Sequence, residues 1–452
     1  MSSFTLENFK SETKILIWLS LPIIANGFLE SGYSFMNTLM AAHLSKAELG
    51  AYGLVSMLFI TLMVIFWGTF SGISVIISHY HGGQKTEHII GVMRDGLIAS
   101  FIFSIPIMLI LWFSPLFFHW TGQSDFVVRE SKNYIHALIW AVPFDLPGIV
   151  LMQLFQGISK PKVNFIFTLG YIPLLIFSNY CFMFGKFGMP KLYLTGVGVG
   201  TSVTFFIFFI TMWLFIVKQP QYKKYIEFKN APKNIKFYSE IFKTGLPLGI
   251  MYCVEIAFFL VLAVFMGKFG NTTLAAHQIT IQYFWIFTNT GFSIGQALSI
   301  RIGWRLGRGE KEWIIPITWI GQLLTTTYFI FTAFLFWFLS KYLILLDLNY
   351  TPLLQDKVLI ETTTILFKFL AIFQIIDGIR FTFFGILRGM KDTRFALLAS
   401  VIQFWIISLP LSYYLAFHAL KNPTGLWMGL ILSAAVGIMI LWRRLYALNI
   451  NT

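Results

Sequence analysis

The amino-acid sequence predicts an all-α membrane protein whose twelve transmembrane helices form two pseudo-symmetric lobes of six, and three observations lead to this fold class. Hydrophobic residues make up 57% and charged residues 12% of the 452 residues, and the mean hydropathy is +0.74. Apolar runs of about twenty residues, long enough to cross a bilayer as a helix, recur along the chain. Short motifs also repeat in the same order in the two halves, which indicates a duplicated unit.

Charged residues, glycines and prolines interrupt the apolar runs and divide the chain into twelve predicted helices. These are expected near residues 15–40, 48–79, 95–117, 133–157, 163–186, 192–217, 240–267, 273–303, 314–339, 360–389, 393–416 and 422–447. The longest polar stretch, KQPQYKKYIEFKNAPKNIKF, separates the first six helices from the last six. The predicted domains are therefore an N-lobe at 1–217, a basic cytoplasmic linker at 218–237 and a C-lobe at 238–452.

The distribution of basic residues predicts the orientation in the membrane. The net charge is +14, and most of the excess lies in the two tails and the even-numbered turns, as is typical of the cytoplasmic side. We therefore expect both termini to be cytoplasmic. The basic residues are scattered over short loops and are not gathered with exposed aromatics in one patch, so the expected surroundings are a lipid bilayer and no nucleic acid.

Two glutamates stand at matched places in apolar segments of the two halves. Glu30 follows Pro22 by eight residues, and Glu255 follows Pro247 by eight residues. Proline inside a membrane helix removes a backbone hydrogen bond and permits bending. The spacing therefore predicts a functional pair of glutamates. Pro22 is either a hinge or a proline that is tolerated near the start of its helix.

Two aspartates repeat in the same way. Asp145 precedes Gly157 by twelve residues, and Asp377 precedes Gly389 by twelve residues. A rise of about 1.5 Å per residue places these aspartates and both glutamates near the bilayer midplane. A charge there costs roughly 2.5–3.5 kcal/mol on insertion scales, so such residues face a cavity, find a partner or bind a cation. Protons and cations are expected to compete for them.

The alternative role for these acids is structural. Arg380 lies three residues after Asp377, close enough on one helix face to form an ion pair, and Lys368 is a second base on the same helix. The other three acids have no base within a turn of their own helix. The sequence therefore favours a functional role for those three and leaves both interpretations open for Asp377.

Aromatic residues make up 18% of the chain, and sixteen methionines accompany them. Most of these side chains are expected to face lipid or pack between helices. A minority can line a cavity that binds flat cations by stacking and cation–π contact. The candidates for such substrate contacts are Met251, Tyr252, Tyr283, Phe284 and Trp285.

Several longer segments resemble the NorM-like branch of the multidrug and toxic compound extrusion (MATE) family. They are LSLPIIANGFLESGYSFMNTLMAAHLSKAELGAYGL, GLPLGIMYCVEIAFF, LAAHQIT, FSIGQALSIRIGWRLG, DGIRFTFFGILRGMKDT and NYCFMFGKFGMP. The resemblance covers nearly the whole chain. It implies the V-shaped fold of that family, alternating access, and export of organic cations driven by a sodium or proton gradient.

The resemblance also implies roles for individual residues. Glu255 matches the cation-site glutamate of the family's C-lobe and Asp377 matches its partner aspartate, so the two are expected to bind Na+ or H+. Asn179 and Gln278 match polar residues of the lobe interiors, and Gln278 is a further candidate substrate contact.

Two positions depart from the family pattern. The first helix commonly carries FVDT, whereas this chain has FMNT at 35–38, and Asn37 cannot titrate as an aspartate does. Glu30 and Asp145 are the candidates to replace the missing acid. Phe373 stands where an aromatic hydroxyl is often found, one turn before the tenth-helix aspartate, so a possible cation ligand is absent.

The sequence thus predicts a secondary active antiporter, functional as a monomer, that exports amphipathic, often cationic, drugs or toxic small molecules in exchange for Na+ or H+. Glu30, Asn37, Asp145 and Asn179 are expected to line the N-lobe. An enzyme is not expected, because the chain has no Ser/His/Asp set, His-rich metal motif or phosphate loop. No cofactor is predicted apart from the coupling ion.

The alternative function is that of a lipid-linked precursor flippase of the same broader superfamily. Such a protein is expected to carry basic residues in its cavity to hold a pyrophosphate, and only Arg380 and Lys368 could serve. The antiporter is therefore ranked first. A channel is not favoured, since no short filter-like loop repeats in the sequence.

Overall fold

The computed structural model describes residues 5–120, 122–232, 237–348 and 357–450, and all regular structure within them is helical. The α-helices are α1 Leu6–Ala42, α2 Lys46–Gly82, α3 Thr86–Trp120, α4 Asp125–Leu138, α5 Val142–Gly157, α6 Pro161–Phe184, α7 Thr195–Lys218, α8 Pro220–Lys223, α9 Tyr238–Gly267, α10 Asn271–Gly307, α11 Ile314–Phe338, α12 Ser340–Leu348, α13 Lys357–Gly389, α14 Thr393–Val401, α15 Leu409–Tyr414 and α16 Thr424–Ile450. Short 3-10 turns lie at Ile139–Ala141, Phe228–Asn230 and Lys311–Trp313, and π-helical stretches lie at Ile402–Ser408 and Leu415–Ala419.

Helices stand at all twelve predicted positions, so the all-α membrane fold is confirmed. The fourth position holds α4 and α5, which a 3-10 turn joins, and the eleventh holds α14 and α15 with the two π-helical stretches. Within the described ranges, eleven long helices are apolar enough to cross a membrane. The remaining one is α10, which is 37 residues long but has a low mean hydropathy because it carries polar side chains such as His277, Gln278 and Asn289.

Capping residues define the ends of several helices. Ser45 caps α2, where its hydroxyl accepts a hydrogen bond from the backbone N–H of Glu48 at 3.1 Å, and Glu48 stands at the third position of a capping box. Gly185 ends α6 with a φ of 67°, a left-handed conformation that glycine adopts at little cost. Both ends agree with the predicted turns.

The start of the first helix was predicted wrongly. The polar residues before residue 15 were expected to lie outside the membrane helix, but α1 begins at Leu6. Glu12 is buried, and its carboxylate accepts hydrogen bonds from Arg301 Nε at 2.7 Å and from Arg301 Nη2 at 2.5 Å. Arg305 Nη2 donates to the same carboxylate. Two arginines of α10 therefore neutralise this buried acid, which lies before the predicted start of the helix.

The end of α10 continues this charged cluster. Glu310, just beyond the helix, accepts hydrogen bonds from Arg305 and, at 2.7 Å, from Arg308 Nε. The guanidinium of Arg308 also lies 4.7 Å from the centre of the Trp304 ring. Burial raises the pKa of the Glu310 carboxyl, but the two arginines lower it more, so this pKa lies below its ordinary value. Glu310 is therefore ionised at neutral pH.

The chain forms two compact units by its internal contacts. The N-unit is Ala25–Gly249, and the C-unit is Met1–Ile24 together with Ile250–Thr452. These bounds differ from those of the predicted lobes, because the first parts of α1 and α9 each pack within the unit formed mainly by the other half of the chain. Within the predicted linker, 233–236 lies outside the described residues.

The two units repeat the same helix pairs. In the N-unit, α2 and α3 pack on α5, α4 and α5 pack on α7, and α6 packs on α7. In the C-unit, α10 and α11 pack on α13, α13 packs on α16, and α15 packs on α16. The corresponding helices occur in the same order along each half, which agrees with the motif repeats in the sequence.

Glycines permit close helix crossings in both units. A Cβ added to Gly245 of α9 would lie 1.9 Å from the carbonyl oxygen of Thr69 on α2. In the C-unit, a Cβ added to Gly385 of α13 would lie 2.4 Å from the carbonyl oxygen of Gly295 on α10. Small residues of this kind allow membrane helices to approach backbone to backbone.

Polar contacts hold the start of α9 in the N-unit. The Tyr80 hydroxyl of α2 donates to Glu240 Oε2 at 2.8 Å, and the backbone N–H of Phe237 donates to Asp95 Oδ2 of α3 at 2.7 Å. Like Glu12 on α1, Glu240 is an acid near the beginning of a proline-containing helix. Each half thus anchors the first part of its first helix by a carboxylate.

Candidate functional site

The C-unit brings Glu255 and Asp377 together through an arginine. Arg380 Nη1 donates to Glu255 Oε1 at 2.6 Å, and Arg380 Nε donates to Asp377 Oδ1 at 2.5 Å. The side chains are 2% exposed for Arg380, 1% for Asp377 and 12% for Glu255. Hydrogen bonds between such charged groups are shorter and stronger than neutral ones. The predicted partner of Asp377 therefore also holds Glu255, which lies on a different helix.

Aromatic rings enclose this ion-pair group. The Arg380 guanidinium lies 4.7 Å from the centre of the Phe381 ring, 4.9 Å from that of Phe384 and 5.2 Å from that of Phe404. Phe404 belongs to the π-helical stretch Ile402–Ser408, and Ser400, shortly before it, donates to Glu255 Oε1 at 3.4 Å. Stacked rings stabilise a buried guanidinium without adding negative charge.

The group has a net charge of −1, because one guanidinium faces two carboxylates. Asp377 Oδ2 is buried without a hydrogen-bond partner. A partnerless buried carboxylate oxygen is costly, so Asp377 Oδ2 is open to a further donor or cation. Lys368, the other base on α13, is exposed and its Nζ lies 5.9 Å from the centre of the Trp337 ring.

The other candidate residues of the C-unit have different surroundings. Met251 is buried, and the Tyr252 hydroxyl lies 3.5 Å from Arg388 Nη1, which donates to it. Gln278 on α10 is exposed. For Met251, Tyr252 and Gln278, the role of substrate contact stays a prediction.

Tyr283 has a packing role in this structure. Its hydroxyl donates to the carbonyl oxygen of Leu343 at 2.8 Å. Its ring meets those of Phe336 and Phe367 edge to face, with centroids 6.2 Å and 5.3 Å away. The neighbouring candidates Phe284 and Trp285 pack against Phe259, with a tilted ring contact for Phe284 and an edge-to-face contact for Trp285. A substrate would have to compete with these contacts.

The N-unit brings Glu30 and Asp145 together. The two carboxylates are close enough to repel each other electrostatically, and Tyr171 lies within the electrostatic reach of both. Asp145 Oδ2 accepts a hydrogen bond from Trp67 Nε1 at 2.8 Å. Glu30 is exposed on α1 and Asp145 is half-buried. Over the described ranges of the chain neither acid forms an ion pair, in contrast to the matched acids of the C-unit.

Asn37 and Asn179 form the centre of a neutral polar cluster in the N-unit. Asn179 Nδ2 donates to Asn37 Oδ1 at 3.2 Å, and Asn179 Oδ1 accepts from Thr201 Oγ1 at 3.5 Å. The Tyr33 side chain lies close to all three of these side chains. Gly200 makes room for this arrangement, since a Cβ there would lie 2.3 Å from Asn179 Oδ1.

Further hydroxyl groups extend the cluster. Tyr52 lies close to Asn37, Thr38 and Ser56, and Tyr134 lies close to Ser56. The rings of Tyr52 and Tyr134 stack with centroids 6.1 Å apart. Asn37 therefore lies near several hydroxyl groups although it cannot titrate itself.

Sequence reasoning missed several residues of the site. It gave no reason to single out Trp67 or Tyr171, because aromatic residues are common in membrane helices. It detected Arg380 as a neighbour of Asp377 on one helix, but the reach of Arg380 to Glu255 depends on the packing of α13 against α9. Such contacts between helices could have been inferred only from the matched positions of the acids.

The repeated helical units and buried acids are those of a multi-pass membrane transporter and not of an enzyme. The MatE family profile matches the chain twice, at residues 22–181 and 247–414, which together make up more than half of it. The two matches begin at Pro22 and Pro247. The chain belongs to the MatE family.

Individual relatives agree with this placement. The chain is 27% identical to the probable multidrug resistance protein NorM of Acinetobacter baylyi, over 98% of this chain and 97% of that protein. It is 28% identical to the multidrug resistance protein NorM of Vibrio vulnificus, again over 98% and 97% of the two chains. An outward-facing multidrug resistance MATE family transporter has the same fold, with a TM-score of 0.85, 15% identity and 96% of each chain covered.

Proposed function

We propose that this protein is a secondary active antiporter that exports amphipathic, often cationic, small molecules in exchange for H+ or Na+. The observation that supports this most directly is the pair Glu30 and Asp145, two acids without a basic partner in the described chain, beside Trp67 and Tyr171. The relatives from Acinetobacter baylyi and Vibrio vulnificus are named as multidrug resistance proteins, which supports export of this kind.

An organic cation suits the chemistry of this acid pair. Two neighbouring carboxylates repel each other, and a positively charged ligand relieves that repulsion. An indole and a phenol ring offer cation–π and stacking contacts to a flat ligand without demanding one shape. A site of this kind selects ligands by positive charge and amphipathic character and can therefore bind more than one substrate.

The same acids can couple substrate to a proton. A proton and a cationic substrate both neutralise a carboxylate, so the two compete for Glu30 and Asp145. In this proposal the two acids replace the aspartate that the family usually carries where this chain has Asn37. The cluster of Asn37 and Asn179 positions α1 beside α6 and lines the same lobe.

The proposed setting is the cytoplasmic membrane of a bacterium, with both termini cytoplasmic and a functional monomer. The positive-inside distribution of basic residues supports the orientation. The flippase alternative has less support, because the guanidinium of Arg380 is engaged by Glu255 and Asp377 and is therefore not free to hold a pyrophosphate.

Transport of a fluorescent cation in inverted membrane vesicles tests the proposal. A proton gradient and a sodium gradient are imposed separately, and at least one should drive accumulation of the dye. The double variant Glu30→Gln, Asp145→Asn should lose this transport at equal membrane abundance. The matched control is Glu87→Gln, which neutralises an exposed acid in the first turn of α3 and should transport normally.

Two results would contradict the proposal. Absence of dye accumulation under both gradients would rule out cation antiport of this class. Full transport by the double variant would rule out Glu30 and Asp145 as the binding acids.

A further inference from the structure

The guanidinium of Arg380 lies between Glu255 and Asp377 and bonds to both carboxylates. Its Nη1 and Nε reach Glu255 Oε1 and Asp377 Oδ1 at 2.6 Å and 2.5 Å. Hydrogen bonding to both carboxylates from one planar cation fixes their separation and directs these oxygens toward nitrogen. The remaining contact on Glu255 Oε1 is the hydroxyl of Ser400 at 3.4 Å.

The donor set that remains does not fit a sodium ion. A hard cation needs several oxygen ligands arranged around it, whereas Arg380 already takes one oxygen of each carboxylate and Asp377 Oδ2 is the buried oxygen of the pair left without a partner. An ion on that oxygen would share its carboxylate with Arg380 in a buried site, where like charges repel strongly. The position one turn before Asp377 holds Phe373, whose ring offers no oxygen.

The resident cation also cannot leave by deprotonation. An arginine side chain keeps its charge at every pH that a protein experiences. Arg380 is fully surrounded by its two acids and by the rings of Phe381, Phe384 and Phe404. The positive charge at this site is therefore permanent, unlike that of an ion that binds and dissociates during transport.

We propose that Arg380 is a specificity-determining residue that takes the place of a metal cation between Glu255 and Asp377, so that this carboxylate pair binds no sodium. The consequence for ion coupling rests on the proposed antiport function. The absence of sodium binding does not, because sodium binding can be measured without transport. It predicts that removing the guanidinium, while keeping both acids, creates a sodium site from a pair that then has a net charge of −2.

The test compares thermal unfolding of purified protein in detergent with equal concentrations of NaCl, KCl and choline chloride. The wild-type protein should have the same Tm in all three salts. The variant Arg380→Gln should gain about 2–4 °C in NaCl relative to KCl, because an ion that binds only the folded state raises Tm. Arg380→Lys keeps the charge and should behave as the wild type does.

A matched control removes an arginine that pairs with an acid elsewhere in the C-unit. Arg444 Nε lies 2.7 Å from Asp392 Oδ2 near the cytoplasmic end of α16. Arg444→Gln should give no sodium-specific shift. A sodium gain in Arg380→Gln that vanishes when Asp377→Asn is added would place the new site at the acid pair and support the proposal.

A sodium-specific rise in Tm of the wild-type protein that is lost in Asp377→Asn would overturn the proposal, whether or not Arg380→Gln folds. Failure of the proposed antiport function has a different signature. Wild-type vesicles would then move no cation under either gradient, while the comparison of salts in detergent would still decide the role of Arg380.

Discussion

Arg301 of α10 donates two hydrogen bonds to Glu12 of α1, from Nε to Oε2 at 2.7 Å and from Nη2 to Oε1 at 2.5 Å. Both residues belong to the C-unit, although α1 continues beyond Ile24 in the N-unit. The fork of a guanidinium matches the two oxygens of a carboxylate, which makes this contact directional as well as strong. The unit boundary in α1 follows Pro22 by two residues, so the anchored segment ends where proline weakens the helix.

Neutralising Glu12 should therefore destabilise the C-unit. Glu12→Gln leaves Arg301 and Arg305 without their shared carboxylate, and breaking a buried ion pair from one side costs about 3–5 kcal/mol. We expect a lower Tm in detergent and faster hydrogen exchange over residues 6–24. The control is Glu7→Gln, an exposed acid in the first turn of the same helix. Equal Tm values for the two variants would mean that the anchor contributes little to stability.

The four acids could be predicted from the sequence, whereas the contact of Glu12 with Arg301 could not. Matched spacing singled out Glu30, Asp145, Glu255 and Asp377 because an acid is rare enough to stand out in an apolar membrane helix. The beginning of α1 was predicted wrongly because the partners of Glu12 lie almost three hundred residues later in the chain. Interactions within a helix can be read from spacing, whereas interactions between helices depend on packing.

The first parts of α1 and α9 pack within the unit formed mainly by the other half of the chain. This too depends on packing between helices and could not be predicted from spacing. The polar linker marks where the covalent repeats meet, and that boundary is visible as a change in composition. The first part of α9 packs in the N-unit because Gly245 and Gly249 permit contact with the backbone of α2 at Thr69 and Ile65. Nothing in the composition of the chain specifies that partner.

The close crossing of α9 and α2 gives a second prediction. In Gly245→Ala, the added methyl group would lie 1.9 Å from the carbonyl oxygen of Thr69, so the helices must separate. Overpacking of this kind typically costs about 1–3 kcal/mol. Gly170→Ala on α6 is the matched control, because a Cβ there meets nothing within 4 Å and alanine favours a helix by up to about 1 kcal/mol. Thermal unfolding should rank the control above the wild type and Gly245→Ala below it.

The neutral cluster at Asn37 gives a third prediction. Aspartate has nearly the shape of asparagine and can still accept the hydrogen bond from Asn179, but it adds a group that titrates. Asn37→Asp should therefore change the pH dependence of dye export in vesicles. Asn37→Ala removes the acceptor and should weaken drug binding at most, while the coupling ion stays the same. Loss of all ion coupling in Asn37→Ala would identify Asn37 as a direct ligand of the coupling ion.

The last prediction concerns the pH dependence of drug binding at Glu30. Protons compete with a cationic drug for Glu30 and Asp145, so the affinity of purified protein for a fluorescent cation should fall as the pH is lowered. Glu30→Gln removes one of the two carboxylates and should abolish most of this dependence. Glu255→Gln should retain the wild-type pH dependence, because Glu255 is engaged by Arg380 in the other unit.

The comparison of these three proteins separates a binding role from a structural one. Affinity is measured by fluorescence anisotropy across pH, and Tm is recorded at each pH so that unfolding is not mistaken for weak binding. If Glu30→Gln keeps the wild-type slope of affinity against pH, the proton that competes with the drug is bound elsewhere, and Asp145→Asn becomes the decisive variant. If Glu30→Gln removes most of the slope and the double variant Glu30→Gln, Asp145→Asn removes all of it, the two acids act as one site. That result is the one we expect, because the charges of the two carboxylates repel each other and a proton on either one reduces the repulsion felt by the other.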